Sequence, residues 1–103
     1  MRRPEKLEII KRVIHAVAPE AEVILYGSEA RGDARPDSDF DILILTPYPV
    51  TPERLKEITY PLFSLMWDND IDVSPIVYEK SQWENRPFLT PFYRNVVKDG
   101  IRI

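Results

Sequence analysis

Asp39 and Asp41 flank Phe40 at the head of an apolar run, Phe40 to Leu45. In a strand, side chains alternate, so the two carboxylates leave on one face, about 6.6–7 Å apart along the backbone. Like charges on one face repel unless a cation or solvent lies between them. Upstream, Gly27-Ser28 follows directly on the β-branched run Glu22 to Tyr26. Glycine lets a backbone approach a ligand closely, and the N–H groups that follow, opening a helical turn, favour phosphate. Downstream, Asp72 lies in the run Ile71 to Tyr78, on the face it shares with Asp70 and Ser74. If the second and third strands are neighbours, Asp72 joins Asp39 and Asp41. Three carboxylates at a sheet edge beside such a turn meet the needs of two-metal phosphoryl or nucleotidyl transfer, with ions about 3.5–4 Å apart. One ion clamps the triphosphate and leaving pyrophosphate, and the other lowers the pKa of an attacking hydroxyl. All-oxygen ligands select Mg²⁺, with Mn²⁺ as the alternative, over softer metals. Taken singly, each piece is commonplace: D-x-D is usually a polar strand end, Gly-Ser a turn, and a lone strand aspartate an edge charge.

The composition narrows the classes. The chain has 103 residues, 14 Lys+Arg and 17 Asp+Glu, for a net charge of −3. That length suits one domain, residues 1–103. With no cysteine, disulfide scaffolds, thiol catalysis and iron–sulfur clusters are excluded. A single histidine speaks against a multi-His metal site. No apolar run approaches the ~20 residues of a membrane span, and MRRPEKLEIIKRV has no signal-peptide core, so a cytoplasmic protein is expected. Charge is uneven: residues 1–12 carry five basic against two acidic side chains, residues 13–41 seven acidic against two basic. The acidic middle argues against a long nucleic acid as ligand, which needs a basic face, and suits a site that gathers divalent cations.

The elements that must position these residues follow from periodicity. Leu7, Ile10, Val13, Ile14 and Val17 predict a helix over 5–18, with Pro4 at its start and His15 on its outer surface. Residues 22–26 and 40–45 read as strands, the second central and doubly covered. Thr51-Pro52-Glu53 opens a second helix, with Leu55, Ile58, Leu62 and Leu65 inward and Pro61 kinking or breaking it. Asp68-Asn69-Asp70 is a turn. The strand Ile71–Tyr78 contains Pro75 and is therefore irregular or at an edge. Ser81 to Glu84 has capping-box spacing and is expected to start a short helix. Thr90-Pro91 starts a last helix, Gly100 caps it, and residues 101–103 form a final strand. Pattern alone leaves open whether strands one and two form a long hairpin or a crossover.

Gly27-Ser28, ten residues, then Asp39-Phe40-Asp41 resembles the G-S-x10-D-x-D signature of the DNA polymerase beta-like nucleotidyltransferase superfamily. The string GSEARGDARPDSDFDILIL is similar to that of the minimal nucleotidyltransferases: Gly27, Ser28, Ala30, Arg31, Gly32, Ser38, Asp39 and Asp41 match, as does Ile71-Asp72-Val73. The resemblance implies an α+β nucleotidyltransferase fold, a small mixed β-sheet packed against helices. It implies that Asp39, Asp41 and Asp72 bind two Mg²⁺ ions, that Gly27 and Ser28 hold the triphosphate, and that ATP is the donor. Arg31 either touches phosphate or ties its loop to a carboxylate such as Asp37; Glu29 and Arg35 read as surface residues. The likeness extends to the antitoxin of HEPN–MNT toxin–antitoxin pairs, in which AMP passes to a tyrosine of the HEPN toxin. The implied partner is a HEPN-like protein, because the chain holds little besides a catalytic core. Two rivals stand beside this reading. One is a homodimer acting on a small molecule, favoured by an apolar patch including Trp67, Trp83 or Phe88, residues assigned here to the core. The other is a partner-binding module without catalysis.

Overall fold

The structure, a computed structural model, describes residues 3–85 and 89–103. Helix α1 (Arg3–Val17) carries Pro4 in its first turn and buries Ile10 and Ile14, four residues apart on one face. His15 is exposed, as its place on the helix predicts. Strand β1 (Glu22–Tyr26) alternates, with Val23 and Leu25 buried toward α1. The polar stretch after it holds a short helix, α2 (Gly27–Arg31). Strand β2 (Phe40–Thr46) is followed by α3 (Pro52–Asn69), β3 (Val73–Glu79), α4 (Lys80–Glu84), α5 (Pro91–Asp99) and β4 (Ile101–Arg102).

The sheet order is β3-β2-β1-β4. β1 is antiparallel to β2 and to β4, while β2 and β3 run parallel through the α3 crossover. The result is the expected mixed α+β sheet, and the open question of strands one and two resolves to an antiparallel pair. Its two faces bury different cores. Phe40, Ile42, Ile44, Val23 and Leu25 pack against α1 and α3. Leu43 and Leu45 pack with Trp83 and Val96 beneath α4 and α5. β2 is therefore central and covered on both sides, and β3 is an edge strand that tolerates Pro75.

Several local expectations change. Pro61 does not break α3, which runs unbroken from Pro52 to Asn69 and takes in two residues of the expected Asp68–Asp70 turn. An internal proline costs roughly 3 kcal/mol. Burying Ile58, Leu62 and Leu65 returns about 1.5–3 kcal/mol each, so packing prevails. Leu55 is 41% exposed, at the margin of the buried face. Trp67 is not core: it is 89% exposed, on the side of α3 away from Leu62 and Leu65. Trp83 is buried as expected, and Phe88 lies outside the described residues. The short helix expected at Ser81–Glu84 is present as α4, but Glu79 and not Ser81 is its N-cap, and Glu79 accepts from the Ser81 hydroxyl. Thr90 caps α5 through the Tyr93 N–H. Gly100 ends α5 with an extended backbone.

Candidate active site

β2 places Asp39 just before its first residue and Asp41 at its second, on the face shared with Leu43 and Leu45. In the antiparallel pair with β1, Tyr26 stands opposite Asp41. In the parallel pair with β3, Ser74 stands opposite Asp41. The Ser74 hydroxyl donates to Asp39 Oδ2. Gly27 follows Tyr26 with φ +74°, and a Cβ there would collide with Asp41 Oδ2. Glycine is therefore required twice over at this position, for its left-handed backbone and for the approach of the chain to the carboxylate. The first turn of α2 begins here with no side-chain cap, since its N-cap is Tyr26.

Burial pushes the Asp41 carboxyl above its ordinary value, and the neighbouring Asp39 charge adds to the rise while Arg31 opposes it. The Tyr26 phenol is pushed up to about 12, by burial and then by Asp41, Asp39 and Tyr78. The two aspartates thus form a strained like-charge pair with oxygen donors on one face. That donor set fits a hard divalent cation, which would relieve the repulsion.

Asp72 sits one residue before β3. Its carbonyl accepts from the Phe40 N–H at 2.8 Å, which ties it to the same sheet edge as Asp39. Its side chain is exposed and borders a cleft of about 370 Å³ lined also by Lys6, Ser38, Phe40 and Met66. The fold therefore brings Asp39 and Asp41 together beside Gly27 and Ser28 and sets Asp72 at their strand edge. Among the described residues, no three carboxylate or imidazole side chains already close on one point as a metal cage.

Arg31 does tie its loop to a carboxylate, with Asp33 in the place expected for Asp37. Its guanidinium lies 3.4 Å from Asp33 and 3.6 Å from Asp99, on α5. Arg35 is exposed, as expected, but Glu29 is not a free surface residue. Arg3 pairs with it at 2.5 Å, donates to the Pro36 and Ser38 carbonyls, and lies 4.4 Å over the Phe40 ring. Arg3 thereby pins the loop that delivers Asp39. Sequence reasoning gave no role to Ser74, Tyr26, Arg3 or Asp99. Strand parity carried a signal for the first two: Ser74 alternates with Asp72, and Tyr26 is the last strand residue before Gly27. Nothing local marks Arg3 or Asp99, whose partners are distant in the chain.

Residues 7–99 match the nucleotidyltransferase domain family, and the chain belongs to it. Over 61 residues it is 46% identical to a protein of Methanocaldococcus jannaschii provisionally named a protein adenylyltransferase, covering 57% of this chain and 60% of that one. Over 65 residues it is 32% identical to the bifunctional uridylyltransferase/uridylyl-removing enzyme of Rhodospirillum rubrum, covering 63% of this chain and 7% of that enzyme. The fold is similar to a chain of a toxin–antitoxin crystallised with AMP-PNP, with a TM-score of 0.63, 22% identity, and coverage of 94% of this chain and 70% of that one. It is also similar to a chain of the Shewanella oneidensis complex of tri-AMPylated HEPN toxin with MNT antitoxin, with a TM-score of 0.58, 21% identity, and coverage of 99% and 71%. At such identities the two structures attest the fold. No helix among the described residues is long and apolar enough to cross a membrane.

Proposed function

We propose that this chain transfers AMP from ATP to a hydroxyl of a partner protein, as an MNT-type antitoxin does to a HEPN-like toxin. The observation that carries the reading is the Asp39–Asp41 pair held on one strand face against the Gly27–Ser28 turn. Family membership supports the reaction class. The relative provisionally named an adenylyltransferase and the AMPylated toxin complex favour AMP and a protein acceptor.

Asp39 and Asp41 would hold two Mg²⁺ ions between them, with Asp72 supplying the third carboxylate from the paired strand edge. Mg²⁺ bound there neutralises the triphosphate and lowers the pKa of the attacking hydroxyl. Gly27 and Ser28 present backbone N–H groups and one hydroxyl to the phosphates. Ser74 orients Asp39 through its hydrogen bond. Arg31, held loosely by Asp33 and Asp99, is near enough to Asp41 to shift its pKa, so it can face a phosphate beside that carboxylate. The acceptor oxygen bonds to the α-phosphorus, the bond to pyrophosphate breaks, and the hydroxyl proton passes to water. Catalysis is mainly positioning and charge neutralisation. A cytoplasmic setting, where ATP and Mg²⁺ are plentiful, suits this chemistry.

The test is incubation with Mg²⁺, α-labelled ATP and the protein encoded by the adjacent gene. Label on that protein, lost with Asp41→Asn, is the expected result. Label on a small molecule instead would assign a different acceptor class, and transfer at the unaltered rate by Asp41→Asn would refute the site.

A further inference from the structure

Helix α3 buries one face and leaves the opposite one uncovered by any described element. Tyr60, Phe63 and Trp67, three and four residues apart, are 58%, 49% and 89% exposed. An aromatic side chain offers 150–250 Å², so the three rings present on the order of 400 Å² of contiguous surface. A patch of that size matches the largest that a typical monomer exposes, which is often functional. One flank of the stripe is acidic. Glu53, Glu57 and Asp68 lie about a quarter-turn round the helix, all exposed. Glu57 is engaged by Arg54, and neither Glu53 nor Asp68 enters an ion pair among the described residues.

That flank selects the occupant. In a two-fold antiparallel pairing of two α3 helices, each flank faces its own counterpart, so Glu53, Glu57 and Asp68 would meet a like-charged flank, and the one exposed lysine in line with the rings, Lys56, leaves three acidic side chains against one basic on this face. An anionic lipid surface is repelled for the same reason. A helix with apolar anchors and a Lys/Arg flank is attracted on both counts. We propose that the Tyr60–Phe63–Trp67 face of α3 docks a helical segment of a partner protein whose apolar stripe is bordered by Lys or Arg. Met66, half-exposed beside the stripe, also borders the cleft at Asp72, so the docked segment lies beside that cleft. That this partner is also the hydroxyl acceptor rests on the function proposed above.

The test uses two helical peptides of about 18 residues with the same leucine stripe, one flanked by Lys and the other by Glu, titrated into the full chain without nucleotide or Mg²⁺. Trp67 is the reporter, because Trp83 is already buried. The Lys-flanked peptide is expected to shift tryptophan emission to the blue and to bind about tenfold more tightly at low salt, the gap narrowing as salt rises. Glu53→Lys with Asp68→Lys should reverse the preference. Tyr60→Ser with Phe63→Ser should abolish binding while circular dichroism stays unchanged. Equal binding of both peptides, or binding of neither, overturns the proposal. Sedimentation showing a dimer with Trp67 buried assigns the face to a second copy and overturns it as well. Because no nucleotide is present, failure here is separable from failure of the transferase reading, which label transfer reports.

Discussion

At the scale of single residues, burial and like charge act together against ionisation of Asp41, and Arg31 opposes them. Asp41 has a folded-state pKa above its ordinary value. This group therefore favours the native state below the ordinary carboxylate value, and that contribution is lost as pH rises through the raised one. At neutral pH the ionised Asp41 opposes folding. Asp41→Asn should then abolish transfer while leaving the thermal midpoint equal or slightly higher at pH 7, and the gain should fade in acid; thermal melts across pH check it. Tyr26 gives an optical reading of the same field. Its phenol ionises near 12, so its favourable contribution holds below about 10 and is lost towards 12. Asp39→Asn removes one of the two carboxylates that oppose the phenolate, and should lower the last tyrosine transition in an absorbance titration. Gly27→Ala combines a left-handed backbone with a collision against Asp41. It should cost about 1–3 kcal/mol in urea melts and nearly all nucleotide transfer. Ser28→Ala is milder, losing one hydrogen bond to an anion worth about 1.5–3 kcal/mol, roughly 10–100-fold in ATP affinity by calorimetry.

At the scale of elements, the sheet edges are tied by charge. Glu22 on β1 accepts from Lys80 at 2.8 Å and Arg102 on β4 at 3.1 Å. The Lys80 hydrogen bond holds its carboxyl below the ordinary value against the opposing pull of burial, with the Arg102 and Lys80 charges helping. A lowered carboxyl stabilises the fold above its unfolded value and loses that contribution as pH falls through the folded one. Glu22→Gln should therefore flatten the acid limb of stability against pH, by no more than about 1 kcal/mol because the group is near the surface. It should also speed exchange of the Ile103 amide, which bonds to the Val23 carbonyl. α3 makes a complementary point. Its inward face holds the helix together across Pro61, and its outward aromatic face, half-exposed or more, carries a smaller share of that stability. Phe63→Ser should thus cost far less than Leu62→Ala, for which about 2–5 kcal/mol is expected.

At the scale of the whole molecule, the sheet is a partition with a different core on each side, and the carboxylates emerge where the partition ends. Arg3 joins the two levels, because it ties α1 to α2 through Glu29 and to the loop carbonyls ahead of Asp39. Arg3→Ala should cost about 1–3 kcal/mol of stability. It should weaken ATP binding although Arg3 is not among the proposed ligands, with faster hydrogen exchange over residues 33–38 as the direct readout.

The order of the strands and of every helix but α2, the burial of Ile10, Ile14 and Leu62, and the placing of Asp39 with Asp41 on one face were legible in the sequence. Each depends on a local period of 2 or 3.6 residues, and local periods survive without knowledge of the partner. The motif around Gly27 and Asp41 was legible too, because its spacing reflects two antiparallel strands joined by one short helix. What only the tertiary structure decided involves residues far apart in the chain: the parallel register that seats Ser74 opposite Asp41, the reach of Arg3 to Glu29, and the Arg31–Asp99 contact. The same holds for Trp67, whose exposure depends on which face of α3 the sheet occupies and not on its hydrophobicity. Side-chain type sets what a residue would prefer to bury, but the packing of helices on the sheet leaves room for only some of those preferences to be met.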